Sequence, residues 1–431
     1  MKLNKKNIIL ITISLVILII ILITAFDKYE KYKNKTKKLL KVETLYYSLK
    51  IDRIKIKSST YGGIDVLDKK IIYLDNNSGL YSISEEKLDN KKFFNIKSLS
   101  AKKIENFKDQ FIKSFEDELG DKANALFGVK DILIGDFFSN DRKYLLASSL
   151  KFNKSKNCYT LNLFLSEILD KEDLVLSDWS EVYASSPCLK VDLTEPKFAA
   201  ASAGGRIFKY DNQNVLLTIG DFYSDDVHGP ALSQNLKNDY GKIIKINLST
   251  KQKSIFSYGH RNPQGLFINT KRNIFSSEHG PAGGDEINLI LEGKNYGWPL
   301  NTFGVGYKSK IQYGEKMKNW PPDVSNNTHA KFEKPIFSWG NTFAASNLIY
   351  YEGKYFDKWK DNLIVGSLAT KKLARLVIND KNKSIILKED IKLDVRIRDI
   401  IQLKDGKIAI LTDPYDGFRE IIIISKIKNS K

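Results

Sequence analysis

Cysteine and histidine are scarce. Two Cys and four His in 431 residues exclude a Cys-based zinc ribbon or an iron–sulfur cluster and allow at most one disulfide. No RNP, helix-turn-helix or His/Cys finger pattern occurs, so the net charge of +18 does not read as nucleic-acid recognition. No WD or Kelch signature occurs either, and internal self-similarity is weak. What remains is ordinary globular material, 42% hydrophobic and 28% charged, long enough for two domains or one large repeat architecture.

The charge is unevenly placed. Residues 1–41 carry ten Lys against Asp27 and Glu30, and the remaining excess is spread diffusely, which favours anionic surfaces without specifying one. From Ile8 to Phe26 runs an uncharged stretch of 19 residues rich in Ile and Leu, long enough to cross a hydrocarbon core of about 30 Å. It reads as a membrane helix over 1–26 rather than the other reading, a cleaved signal, because the exit through Thr24-Ala25-Phe26-Asp27 lacks a small-x-small pattern. A basic linker over 27–42 would follow, then one large domain over 43–431 outside the cytoplasm, periplasmic or at the cell surface. In an oxidising compartment Cys158 and Cys188 could pair, and two buried free thiols fit the spacing equally well.

Past the linker, short β-branched runs alternate with turn residues: Lys70–Leu74 before Asn76-Asn77-Ser78-Gly79, Val215–Ile219 before Gly220-Asp221, Leu363–Val365, and Lys407–Thr412 before Asp413-Pro414. One amphipathic helix is predicted over Ala101–Leu119, with Ile104, Phe107, Phe111 and Phe115 at helical spacing. Many short hairpins and few helices predict an all-β fold in which sheets repeat radially to protect their edges.

Tyr258–Pro299 holds the densest chemistry, in three blocks: GHRNPQGL, SSEHGPAGGDEINLI and GKNYGWP. Arg261, Asn262 and Gln264 set one fixed cation and two amides around Pro263, donors suited to a carboxylate-bearing or highly oxygenated ligand. Gly280-Pro281 and Gly283-Gly284 can turn carbonyls inward, and Asp285-Glu286 supply hard anionic oxygens, the ligands calcium takes, although the spacing is not that of an EF-hand.

These blocks, with GGR at 204–206, TIGD at 218–221, YGKIIKINL from Tyr240 and RIRD at 396–399, resemble the soluble quinoprotein glucose/sorbosone dehydrogenase family, PQQ-dependent aldose sugar dehydrogenases included. The resemblance implies a six-bladed β-propeller, here preceded by a single transmembrane helix, with pyrroloquinoline quinone (PQQ) and Ca2+ as cofactors and a sugar as substrate. It implies that Arg261 and Asn262 contact the quinone and that Arg396 and Arg398 hold its carboxylates. It also implies that the Gly280 and Pro281 carbonyls hold a cofactor-bridging calcium, and that the Glu286 carboxylate and Tyr296 carbonyl hold a structural one.

One departure bears on the chemistry. The family's proton-abstracting His stands four residues before the Arg of the GGR block, and that position is Ser202. Asp221, nineteen residues later, matches the Asp that orients this His. A Ser hydroxyl has no useful basicity near neutral pH. His228, in the loop after Asp221, is a candidate replacement because an imidazole has a suitable pKa; His260 and His279 read as structural. A quinone-contacting Gln of the family falls on Leu126. The sequence therefore supports an exported, membrane-anchored sugar dehydrogenase with altered catalytic equipment. The alternative is an inactive propeller binding glycan or protein partners, and a third reading is a structural envelope protein.

Overall fold

The computed structural model describes Thr24 and residues 41–58, 61–84, 97–99, 101–119, 126–191, 200–225, 230–304, 331–379, 381, 383–415 and 417–427. Among these residues no helix is long and apolar enough to cross a membrane. The stretch 8–26 lies outside them apart from Thr24, as do His228 and most of the basic linker.

Six antiparallel sheets form. Blade 1 is β3 (Gly62–Leu67), β4 (Lys70–Asp75), β5 (Leu80–Ser84) and β6 (Lys97–Leu99). Blade 2 is β7 (Val129–Asp136), β8 (Lys143–Asn153) and β9 (Cys158–Asp170), with β10 (Val175–Leu176), β11 (Ser180–Ala184) and β12 (Leu189–Lys190) all paired to β9. Blade 3 is β13 (Gly204–Lys209), β14 (Asn214–Ile219), β15 (Lys242–Asn247) and β16 (Lys253–Tyr258). Blade 4 is β17 (Pro263–Ile268), β18 (Ile274–Glu278), β19 (Asp285–Ile290) and β20 (Phe337–Trp339), and blade 5 is β21 (Ala345–Tyr351), β22 (Asn362–Ser367), β23 (Lys372–Ile378) and β24 (Ile385–Lys392). Blade 6 takes β25 (Ile397–Gln402), β26 (Ile408–Thr412) and β27 (Phe418–Lys426) from the C-terminal end, and β2 (Ser48–Lys57) and β1 (Lys41–Glu43) from the N-terminal end. Lys41 and Val42, read from the sequence as the end of the linker, already belong to β1.

The ring closes because β3, β7, β13, β17, β21 and β25 each touch the next, and β25 returns to β3. Four antiparallel strands make three reversals, and the passage to the next blade makes a fourth. Every innermost strand therefore runs the same way, and all their N-terminal ends open on one face. This is the six-bladed β-propeller expected.

Packing between blades explains the run Ile421–Ile424. Alternate residues of a strand face opposite sides: Ile421 and Ile423 join Ile64 and Tyr73 of blade 1, while Ile422 and Ile424 join Ile349 and Trp359 of blade 5. Both faces are covered, so apolar residues are continuous rather than alternating, each worth about 1.5–3 kcal/mol of burial.

The helix is shorter than the sequence predicts. It is α1, Lys108–Leu119, because Phe107 takes a left-handed φ of 57° and Asn106 Oδ1 accepts the Lys108 N–H at 3.1 Å, an Asx-type start. Ile104 instead packs into the blade 1–blade 2 core, and Phe107 is 41% exposed. Phe111 and Phe115 do face inward, onto Phe127 and Phe152. Cys158 and Cys188 are disulfide-bonded across a Cα separation of 5.7 Å, stapling β12 to β9.

Candidate functional site

The sequence-predicted residues gather where the innermost strands begin. Arg261 and Asn262 immediately precede β17, Arg396 precedes β25 and Arg398 lies within it. Gln264 joins them: its Nε2 donates to Asn262 Oδ1 at 2.8 Å, and its Oε1 accepts from Arg398 NH1 at 3.5 Å. Asn262 Oδ1 also accepts the Gly204 N–H at 3.2 Å, which brings in the GGR block.

Asp413 organises the arginine pair. Its Oδ1 lies 2.6 Å from Arg398 Nε and its Oδ2 3.0 Å from Arg396 Nε. Burial alone would raise the Asp413 carboxyl, but the two guanidiniums hold it below the usual carboxylate range. Arg398 also lies over the Tyr61 ring at 4.5 Å, while the Arg396 side chain is 48% exposed. Arg261 sits over Tyr223 and Trp298, at 5.6 and 5.3 Å, and its NH1 donates to the Gly280 carbonyl at 2.8 Å.

Ser202 and Asp221 lie side by side. The Phe222 N–H donates to the Ser202 carbonyl at 3.2 Å and the Gly220 N–H to the Ala203 carbonyl at 3.0 Å. A side chain at Gly220 would overlap the Ser202 carbonyl, so this approach requires glycine. Asp221 is fully engaged: Oδ2 accepts Trp298 Nε1–H at 2.8 Å and Oδ1 the Tyr223 N–H at 2.9 Å. Burial pushes its carboxyl up to about 7, against the pull of Arg261.

His260 is structural, as expected, bonded to Ser257 Oγ at 2.8 Å and Glu278 at 3.0 Å and stacked on Tyr296. His279 Nδ1 lies 3.3 Å from Asn262 Nδ2, and burial pushes this imidazole down to about 4. Leu126 packs against the blade 2–blade 3 core.

The acidic loop divides in two. Asp285 is not a free anionic oxygen: it accepts the N–H groups of Gly280, Phe343 and Ala344 at 3.1, 2.6 and 2.8 Å and so organises the loop. Glu286 instead faces a small cavity with Glu278, Tyr296, Asn301 and Thr302, with room for one water-sized occupant. Asn301 Oδ1 is buried there without a partner. Burial pushes the Glu286 carboxyl up to about 8, and the Glu278 and Asp285 charges add to it. Two carboxylates and an orphaned amide oxygen fit a hard cation, which would return Glu286 to the ionised form. Among the described residues no three His, Cys, Asp or Glu side chains group as metal ligands, so such a site would depend on carbonyl and amide oxygens as well.

Sequence reasoning missed Tyr61, Trp298, Tyr223 and Lys130. Lys130 had a signal: VKDI at 129–132 repeats as IRDI at 397–400, so Lys130 stands in β7 where Arg398 stands in β25. Both strands carry a bulge there, between Val129 and Asp131 and between Ile397 and Asp399. β17 carries the same bulge around Gln264.

The sequence model of the glucose / sorbosone dehydrogenase family matches residues 122–423. Aldose sugar dehydrogenase YliI of Escherichia coli (strain K12) is 36% identical over 314 residues, spanning 68% of this chain and 76% of that protein. Quinoprotein glucose dehydrogenase B of Acinetobacter calcoaceticus is 27% identical over 279 residues, 48% of this chain and 58% of that protein. Among solved structures, the apo form of the soluble aldose sugar dehydrogenase from Escherichia coli superimposes with a TM-score of 0.65 at 22% identity, covering 88% of this chain and all of that one. The PQQ-bound aldose sugar dehydrogenase from Streptomyces coelicolor gives 0.56 at 18% identity, covering 87% and 98%. The sequence matches and the shared fold lead to one statement of kinship: this chain belongs to the soluble quinoprotein glucose/sorbosone dehydrogenase family.

Proposed function

We propose that this protein oxidises the C1 hydroxyl of an aldose, with PQQ as the oxidant and calcium bound, on the outer side of a membrane to which residues 8–26 anchor it. The observation that carries the reading is the convergence of Arg261 and Asn262 with Arg396 and Arg398, more than 130 residues apart in sequence, through Gln264. Arg396 and Arg398 would hold the carboxylates of PQQ in planar forks, and Arg261 and Asn262 would orient its ring. PQQ supplies, when bound, an ortho-quinone able to take two electrons and a proton from the sugar carbon.

Calcium fits the Glu286 cavity, with Glu286 and Tyr296 among its ligands, for the electrostatic reason given above. The second calcium position is more constrained. The Gly280 carbonyl already accepts from Arg261, so a cation held by Gly280 and Pro281 would share that oxygen with a guanidinium. Asp221, placed beside Ser202, holds the Trp298 indole and the Tyr223 turn instead of an imidazole. That observation favours a second reading, a propeller that binds PQQ or a glycan without oxidising it.

Titrating the full-length protein in detergent with PQQ and calcium separates the readings. Oxidation predicts a shifted quinone absorbance that bleaches when D-glucose or another aldose is added. A shift without bleaching selects a binder of PQQ, and no shift overturns the oxidising reading.

A further inference from the structure

The missing imidazole leaves the sugar hydroxyl without an evident proton acceptor among the described residues. Asp221 has both oxygens engaged and is buried, and His279 is a weak base at about 4. We propose that Lys130 is the catalytic base, its amine delivered to the mouth by the β7 bulge, in a proposal that rests on the sugar-oxidising reading above.

Three observations place it. A β-bulge turns one residue out of the alternation of its strand; the equivalent bulges in blades 4 and 6 free Gln264 and Arg398, which meet each other at the mouth, and the bulge in blade 2 leaves Lys130 as the residue at the same position of its strand. The Lys130 stem then passes over Gly205, where an added Cβ would approach it to 2.5 Å. Gly205 follows Ser202 by three residues, so the Lys130 stem crosses the start of β13, the strand that Ser202 leads into. Finally, Lys130 is only partly buried and makes a single hydrogen bond among the described residues, from Nζ to the Leu126 carbonyl.

The other desolvated lysines differ in this respect. Lys242 donates to three backbone carbonyls, at 2.9, 3.0 and 2.6 Å, and Lys108 to the Asn76 and Asn77 side chains at 2.9 and 2.8 Å. Both are spent on structure. Burial pushes the Lys130 amine down to about 7, and the Arg398 and Lys108 charges push the same way. The neighbouring Asp131 is taken by Arg206 and the Ile207 N–H, and Asp65 by the Val66 and Ile134 N–H groups. An amine lowered this far has a neutral form within reach near pH 7, with a lone pair available.

The step balances. The C1–O–H proton passes to the Nζ lone pair, the C1–H bond breaks with the hydrogen and its electron pair leaving together as hydride to the quinone, and C1–O becomes the lactone carbonyl. The ammonium afterwards returns its proton to water.

The test uses the full-length protein and two kinds of readout. Competitive acetic anhydride labelling, read by peptide mass spectrometry without cofactor, should show Lys130 becoming reactive near pH 7, some three pH units below exposed lysines. With PQQ and calcium, Lys130→Met should keep the quinone absorbance shift while aldose bleaching slows by about 10²–10⁴-fold, and Lys130→Arg should not restore it. Wild-type bleaching should rise with pH through about 7. Bleaching at the wild-type rate in either variant, loss of PQQ uptake in Lys130→Met with rescue by Arg, or labelling only near pH 10 would overturn the proposal. Failure of the wild type to take up PQQ would overturn the sugar-oxidising reading and this role with it, a result distinguishable from all of these.

Discussion

The innermost strands carry two belts of charge, one residue apart, with opposite fates. Lys130 and Arg398 turn toward the mouth, while their neighbours Asp131 and Asp399 turn to the axis, where Arg206 NH1 meets Asp131 at 2.6 Å and Asp399 at 2.9 Å. The axial acids also bind blade to blade: Asp65 accepts the Ile134 N–H, Asp131 the Ile207 N–H and Asp399 the Ile64 N–H. A single bulge thus separates a ligand-facing belt from a structural one. Cations at the mouth leave binding capacity for an anion, whereas acids on the axis are saturated by backbone and by Arg206.

The largest effect should come from removing the cation shared by two axial acids. Arg206→Met leaves Asp131 and Asp399 buried without it and is expected to cost about 3–5 kcal/mol in urea denaturation; a change near zero would break the distinction between belts. Arg398→Gln should do the reverse, lowering PQQ affinity by about 10–100-fold with only a small change in the denaturation midpoint. A third prediction concerns pH. Burial raises both Asp65 and Asp131 to about 7, above their unfolded value near 3.9. The folded state therefore holds extra protons, and the stability these groups contribute is complete below about pH 4 and lost as pH rises through about 7. Denaturation midpoints should fall over that window, and Asp65→Asn should flatten the fall. Arg396→Gln should be mildest: with its side chain 48% exposed, stability should move by less than about 1 kcal/mol, while the salt dependence of PQQ binding weakens.

Much of the ring was readable before any coordinates. Lys70–Leu74, Val215–Ile219 and Lys407–Thr412 are strands because β-branched runs bounded by turn residues have few alternatives. Arg261, Asn262, Arg396 and Arg398 were legible because they sit in compact motifs. The bulges were not, since nothing in local composition marks a residue that skips its partner, and only the repeat of VKDI as IRDI hints at the relation. The start of α1 was misplaced because helical spacing continued through Phe107, whose left-handed backbone ends the pattern. Asp285 looked like a metal ligand because its partners, the amides of Phe343 and Ala344, lie almost sixty residues away.

The seam in blade 6 sets a timetable for biosynthesis. Leu49 pairs with Lys426 and Lys57 with Phe418, so β2 leaves the ribosome long before the strand it pairs with, β27. At 5–20 residues per second that delay is about 20–75 s, during which Ile51, Ile54 and Ile56 have no partner strand to cover them. The circle is clasped only after Phe418–Lys426 has been made, and a chain cut short before Phe418 would keep a sticky, unmated ribbon in place of a buckle.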